Sequence, residues 1–146
     1  MPPDTKEDYM TGLTIDQIEI GQSASFGKTI TETDVYMFAG ITGDMNPAHI
    51  NEQYAKDTMF KGRIAHGMLG ASLISTVLGM HLPGPGTIYL KQDLKFLAPV
   101  KLGDTITATC TAKEKLEKNR LVLDCVVVNQ DGVQVISGEA VVMPPR

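Results

Sequence analysis

The sequence predicts an α+β domain in which an antiparallel sheet covers one long helix. Two observations predict it. Residues 67–80 place Met68, Leu69, Leu73, Ile74, Val77, Leu78 and Met80 on most sides of a helix. A helix that is apolar nearly all round is buried rather than laid on a surface. From Thr87 onward, apolar residues instead alternate with polar ones in successive runs, the period of strands with one covered face. A sheet of this kind needs that face covered, and the helix is the simplest cover.

Composition sets the outer limits. A chain of 146 residues with 42% hydrophobic and 21% charged residues fits one globular domain with a single core. A net charge of −4 gives no basic footprint for nucleic acid, and the absence of Trp leaves no stacking platform for bases. Residues 1–12 are expected as a mobile polar lead-in and residues 13–146 as the domain. Residues 1–10 lack the apolar core of a signal peptide. The apolar stretch 68–82 is interrupted by Ser72, Ser75, Thr76 and His81 and is too short for a bilayer. The expectation is a soluble, cytoplasmic protein with neither membrane nor nucleic acid as partner.

The elements follow in chain order. Leu13, Ile15, Ile18 and Ile20 bring the chain onto the core, and Gly21 marks a turn. Residues 23–30 have strand character. Thr31-Glu32-Thr33-Asp34 is a capping-box-like helix start, and Val35, Phe38, Ala39 and Ile41 keep helical spacing up to a stop at Gly43. Residues 51–57 read as a short exposed helix and 58–64 as a loop. The helix over 67–80 is about 20 Å long at 1.5 Å per residue, and Pro83-Gly84-Pro85-Gly86 ends it. Along it, Gly67, Ala71 and Ser75 fall on one line, with Leu78 close to the same face. Small residues there either leave room for a ligand or allow close helix–sheet contact.

Strands are expected over 88–99, 105–115, 120–130 and 133–143. Asp131-Gly132 reads as a two-residue hairpin turn. It would pair Gln130 with Val133, Val127 with Ile136 and Cys125 with Gly138. A tight loop before Arg120 would likewise pair Leu116 with Asn119 and Cys110 with Cys125. The two cysteines are expected as small buried side chains in a reducing compartment, not as a disulfide.

The stretch Gly43-Asp44-Met45-Asn46-Pro47-Ala48-His49 carries the chemistry. A carboxylate and an imidazole stand five residues apart across a proline. Pro47 fixes its own φ and pushes Asn46 out of the α region, so a kinked loop is expected. An acid and a base held close can position and polarise one water, although the same residues also make ordinary turns. Asp44 lies just past a helix C-terminus, where the dipole helps keep it basic. No metal is expected: the chain has three histidines, and no Cys or acidic partner sits at ligand spacing. Lys61, Arg63, Lys91 and Lys95 could meet phosphates, and Lys113, Lys115, Lys118 and Arg120 cluster near a hairpin. Charges so placed are ordinarily solvated.

The run over residues 43–49, then Ala65-His66-Gly67-Met68-Leu69, then the β-rich tail resembles the MaoC-like (R)-specific enoyl-CoA hydratases. Among these it is most similar to the small bacterial enzymes that feed polyhydroxyalkanoate synthesis. The resemblance spans about residues 13–143. It implies a hot-dog fold, a sheet wrapped around a central helix, and a homodimer joined edge to edge. It implies syn addition of water to a trans-2-enoyl-CoA to give an (R)-3-hydroxyacyl-CoA, with no cofactor beyond the acyl-CoA substrate. Asp44 would then be the base that helps water attack C3, and His49 would share the water and deliver a proton to C2. Asn46 would orient the pair, and the Gly67 N–H would bind the thioester oxygen. Ala71, Ser75, Leu78 and Met143 would shape the acyl pocket. The physics is compatible, because a helix N-terminus offers free N–H groups and a glycine allows close approach. His66 is read as a structural hydrogen-bonding residue at the helix start. Thioesterases share the fold, so an acyl-CoA thioesterase is the alternative enzyme, and a non-catalytic acyl-CoA-binding module the alternative class.

Overall fold

A computed structural model describes residues 11–146; the expected lead-in over residues 1–10 lies outside the described residues. Gly12, expected at its end, already donates its N–H to the Pro85 carbonyl at 2.9 Å. After a 3₁₀ turn at Ile15–Gln17 come β1 (Ser23–Thr29), α1 (Glu32–Thr42), α2 (Pro47–Ile50), α3 (Glu52–Ala55) and α4 (Gly67–Met80). The chain then runs through β2 (Ile88–Phe96), β3 (Thr105–Leu116), β4 (Arg120–Val128) and β5 (Gln134–Met143). Among the described residues, no helix is long and apolar enough to cross a membrane.

The sheet has the order β1-β3-β4-β5-β2, and every neighbouring pair is antiparallel. Alternation decides its faces. Ile106, Ala108, Cys110 and Ala112 of β3 point into the core, while the threonines between them face outward. On that outer side, Thr109 and Thr105 pair their hydroxyls with Ser25 and Thr29 of β1 at 2.7 Å. Leu73, Ile74, Val77 and Leu78 of α4 lie in the same core cluster as Leu121, Leu123, Val127 and Ile136 of the sheet. Each such fully buried aliphatic side chain contributes roughly 2 kcal/mol. Gly70 permits the close crossing: a Cβ there would stand 3.1 Å from Ile136 Cδ1.

Helix α4 is not buried all round, contrary to the reading of its composition. Met68 is 55% exposed, and Ser72 and Ser75 are also exposed, forming an open stripe at helical spacing. The sheet covers only the face that carries Leu73, Ile74, Val77 and Leu78.

The hairpins keep the expected register by a different route. Val127 pairs with Ile136, Cys125 with Gly138, and Cys110 with Cys125. Yet Val128 pairs with Gln134 and Leu116 with Arg120, so the register shifts by one near each turn. Asn129 donates to the Val133 carbonyl, and Gly132 takes φ 76°. The loop is therefore one residue longer than a two-residue turn. An extra residue at a bulge in the flanking strands restores the alignment. The β3–β4 loop does the same, with Lys118 at φ 62° and Asn119 at φ 56°. Cys110 and Cys125 are buried free thiols with sulfurs 3.7 Å apart. Contact with Cys125, together with burial, pushes the Cys110 thiol above its ordinary range.

Candidate active site

The bent segment after α1 is built by local hydrogen bonds. Gly43 takes φ 82° and ends α1 by donating to the Ala39 carbonyl. The Asp44 N–H donates to Thr42 Oγ1 at 3.1 Å, and Asp44 Oδ1 accepts from the Asn46 N–H at 3.2 Å. Asn46, at φ −53° and ψ 125°, is pushed out of the helical region ahead of Pro47, as expected. Its own Oδ1 accepts the Ala48 N–H at 3.1 Å. The expected kinked loop therefore stops at Asn46: residues 47–50 form one helical turn, because Asn is a good N-cap and Pro a good first helical residue. His49 rides on that turn.

His49 is 9% exposed, and its Nδ1 lies 2.7 Å from the Ile64 carbonyl. A carbonyl can only accept, so Nδ1 carries the hydrogen, and in the neutral ring Nε2 keeps a lone pair. Asp44 is exposed, and one ligating atom from each of Asp44, His49 and His66 lies within 4.8 Å of the others. The N-terminus of α4 stands on the same site. His66 is its N-cap but makes no side-chain cap, and its carbonyl accepts from Leu69 and Gly70. The Gly67 and Met68 N–H groups therefore have no intrahelical acceptor. Gly67 and His49 line one groove of about 340 Å³, together with Phe60, Ala65, Phe96 and Ile136.

A family model described as a MaoC like domain matches residues 16–132, a span that contains Asp44, His49, His66 and Gly67. The chain belongs to the MaoC-like family. It is 55% identical over 130 residues to an (R)-specific enoyl-CoA hydratase of Rhodospirillum rubrum, covering 89% of this chain and 90% of the relative. The R-hydratase PhaJ1 from Pseudomonas aeruginosa superposes with a TM-score of 0.89 at 47% identity, over 92% of this chain and 87% of that one. The (R)-hydratase from A. caviae involved in PHA biosynthesis superposes at 0.85 with 40% identity, over 88% and 98%. The five-stranded sheet over α4 is thus a hot-dog fold.

The acyl-pocket residues expected in this MaoC-like domain are not all brought together. Ala71 and Ser75 line a second groove of about 420 Å³, between the open stripe of α4 and Tyr89, Gln92 and Leu94 of β2. Leu78 is 1% exposed within the core and lines neither groove. Met143 pairs with Ile88 where β2 begins and also lines neither.

Two further residues touch the Asp44–His49 segment. Arg63, read from sequence as a possible phosphate contact, has a side chain only 10% exposed, with Nη1 2.6 Å from Glu32 Oε1. Its Nε donates to the His49 carbonyl at 2.6 Å. Hydrogen bonds from Arg63 and then Tyr36 hold the Glu32 carboxyl below its usual range. His66 Nε2 donates to the Asp44 carbonyl at 2.9 Å. No sequence motif flagged either contact. His66 also bears on metal binding, since it adds a third ligand-type side chain beside Asp44 and His49. However, its ring stacks on His49 with centroids 4.0 Å apart and planes 29° apart. One nitrogen of each ring is also already bound to a main-chain carbonyl, His49 Nδ1 to Ile64 and His66 Nε2 to Asp44. Elsewhere, Lys113 is paired with Glu139 at 2.9 Å and Asp124 at 3.7 Å.

Proposed function

We propose that this domain hydrates trans-2-enoyl-CoA to (R)-3-hydroxyacyl-CoA. One observation carries the reading: His49, beside Asp44, and the uncapped head of α4 at Gly67 face a single groove. A water between Asp44 and His49 would give one hydrogen bond to each. In place of the base expected from the resemblance, Asp44 has a supporting part: it accepts a hydrogen bond from the water and faces the imidazole with negative charge. As the oxygen bonds to C3, one O–H bond breaks and its proton passes to His49 Nε2, which has the free lone pair. The C2–C3 π electrons move toward the thioester, and the Gly67 N–H steadies the charge on its oxygen, an effect worth about 3 kcal/mol. The imidazole then releases the proton to C2 on the face where water entered, so the addition is syn. Asn46 orients the pair by giving its N–H to Asp44 and capping the turn that carries His49.

In this reading the acyl chain runs from Gly67 along Ala71 and Ser75, and no cofactor takes part. A homodimer joined along the β2 edge would cover that groove. Two free buried cysteines suit a reducing compartment such as the cytoplasm. Polyhydroxyalkanoate precursor supply is the pathway suggested by the A. caviae relative's involvement in PHA biosynthesis.

The test is turnover of crotonyl-CoA with product stereochemistry. Loss of the enoyl absorbance with formation of the (R)-alcohol is expected. Thiol release with the enoyl absorbance intact would instead identify a thioesterase. Asp44→Asn and His49→Gln should each lower kcat by at least about 100-fold, and unchanged turnover in either would overturn the role given to that residue, whereas no turnover of any acyl-CoA by wild type would leave only a binding module.

A further inference from the structure

We propose that Arg63 and His66 are positioning residues for the reaction above, and that the segment they bound is a clasp setting the distance between the two reacting side chains. The inference rests on the hydratase reading and deepens it. Four hydrogen bonds join residues 63–66 to the Asp44–His49 segment. Arg63 Nε donates to the His49 carbonyl at 2.6 Å, and His49 Nδ1 donates to the Ile64 carbonyl at 2.7 Å. The Ile64 N–H donates to the Ala48 carbonyl at 3.2 Å, and His66 Nε2 donates to the Asp44 carbonyl at 2.9 Å. The main-chain carbonyls of both reacting residues are thus held by side chains from one short stretch.

Each clasp is itself anchored. The Arg63 guanidinium is fixed by Glu32 at 2.6 Å and lies over the Tyr36 ring at 5.0 Å. The His66 ring is packed between Phe38 at 4.9 Å and His49 at 4.0 Å. As the N-cap of α4, His66 also ties the Asp44 loop to the helix end that presents the Gly67 N–H. One residue therefore spans the water side and the oxyanion side of the site.

Stability alone does not account for these two side chains. Among the described residues, the buried side-chain polar atoms left without a hydrogen-bond partner are Arg63 Nη2 and His66 Nδ1. An unpaired buried polar atom opposes folding, and a well-packed apolar side chain would avoid it. Both belong to the residues that hold the pair. Local rules are broken in this way where function needs the geometry.

The experiment compares Arg63→Met and His66→Phe with wild type on crotonyl-CoA, alongside thermal unfolding and imidazole ¹⁵N spectra. Misplacement of a reacting group by about 1 Å can cost on the order of 100-fold. The expected result is a fall in kcat of about 10- to 100-fold with KM within about threefold. His66→Gln should recover much of the loss, because its amide can still donate to the Asp44 carbonyl. In wild type, His49 should carry its hydrogen on Nδ1 and His66 on Nε2, and the His49 signals should shift in both apolar variants. Folded variants with kcat within about threefold of wild type overturn the proposal and leave the hydratase reading standing. If wild type hydrates no enoyl-CoA, that reading falls, and the spectra alone decide: unchanged His49 signals in both variants overturn the clasp. If an apolar variant fails to fold, Arg63→Lys decides. Its ammonium cannot hold the His49 carbonyl and Glu32 with the same fork, and wild-type kcat there overturns the proposal.

Discussion

The placing of Asp44 and His49 depends on two single residues beside them. Gly43 reverses the chain at φ 82°, and Asn46 both gives its N–H to the carboxylate and caps the next turn. The Gly43 stop and the bend at Asn46 are local chemistry, which is why they were legible in seven consecutive residues, whereas the helical turn that Asn46 caps was read as loop. Other residue-scale features were not legible either. Gly138 sits in β5, where an added Cβ would lie 2.0 Å from the Asp93 carbonyl oxygen of β2. Backbone cannot yield as a side chain can, so Gly138→Ala should lower unfolding free energy by about 3 kcal/mol, read by denaturant titration. Ser75 borders the second groove and Leu78 does not. Ser75→Leu should therefore shift the preferred substrate toward shorter acyl chains with little loss of stability. Leu78→Ala should act through the core, lowering stability by about 3 kcal/mol. Rates across a series of trans-2-enoyl-CoAs and thermal melts separate the two.

At the scale of elements, helix starts and stops were the most readable. Thr31 Oγ1 accepts the Asp34 N–H at 3.1 Å, and Asp34 Oδ2 accepts the Thr31 N–H at 2.9 Å, a reciprocal box at the head of α1. Thr31→Ala should cost about 1 kcal/mol in thermal or chemical unfolding. The Asp34 carboxyl is held below its usual range, first by Lys28 and then by the Thr31 N–H. Its folded value is depressed, so its contribution is fully present above the ordinary carboxylate value of about 4. That contribution is lost as pH falls through the lower folded value. The stability gap between wild type and Asp34→Asn should therefore close on acidification below that range, as thermal unfolding at stepped pH would show. Strand registers were readable for a subtler reason. Each hairpin loop is one residue longer than a two-residue turn, and each is offset by a one-residue shift in its strands. Inward and outward faces have to alternate correctly for the core to close, so the register held although the turn was misread. The open face of α4 was not readable, because composition gives the polarity of a helix but not how much of it a curved sheet covers.

Among the described residues, the sheet ends in two edges, β1 and β2. The β2 edge carries Ile88, Tyr89, Leu90 and Phe96 exposed, with Met68 and Met80 of α4 also exposed. A free edge rich in large apolar side chains is a template for pairing. Sedimentation should report a dimer, and Leu90→Glu should move it toward monomer with a parallel loss of turnover, since the groove proposed for the acyl chain opens beside this strand. A monomer that keeps full turnover would count against a shared groove.

The sequence by itself determined what depends on neighbours within a few residues. That covers the capping box, the Gly43 stop, the bend at Asn46, the strand periods and the family motif that pairs an acid with a base. Only the tertiary structure decided that Arg63 and His66 hold that pair, that Leu78 belongs to the core, and that His49 and Gly67 share a groove. The hydrogen bonds that hold the pair join residues 14, 15 and 22 positions apart. No local propensity encodes them, because they exist only once the sheet has closed over α4 and brought the loop before the helix against the loop after α1.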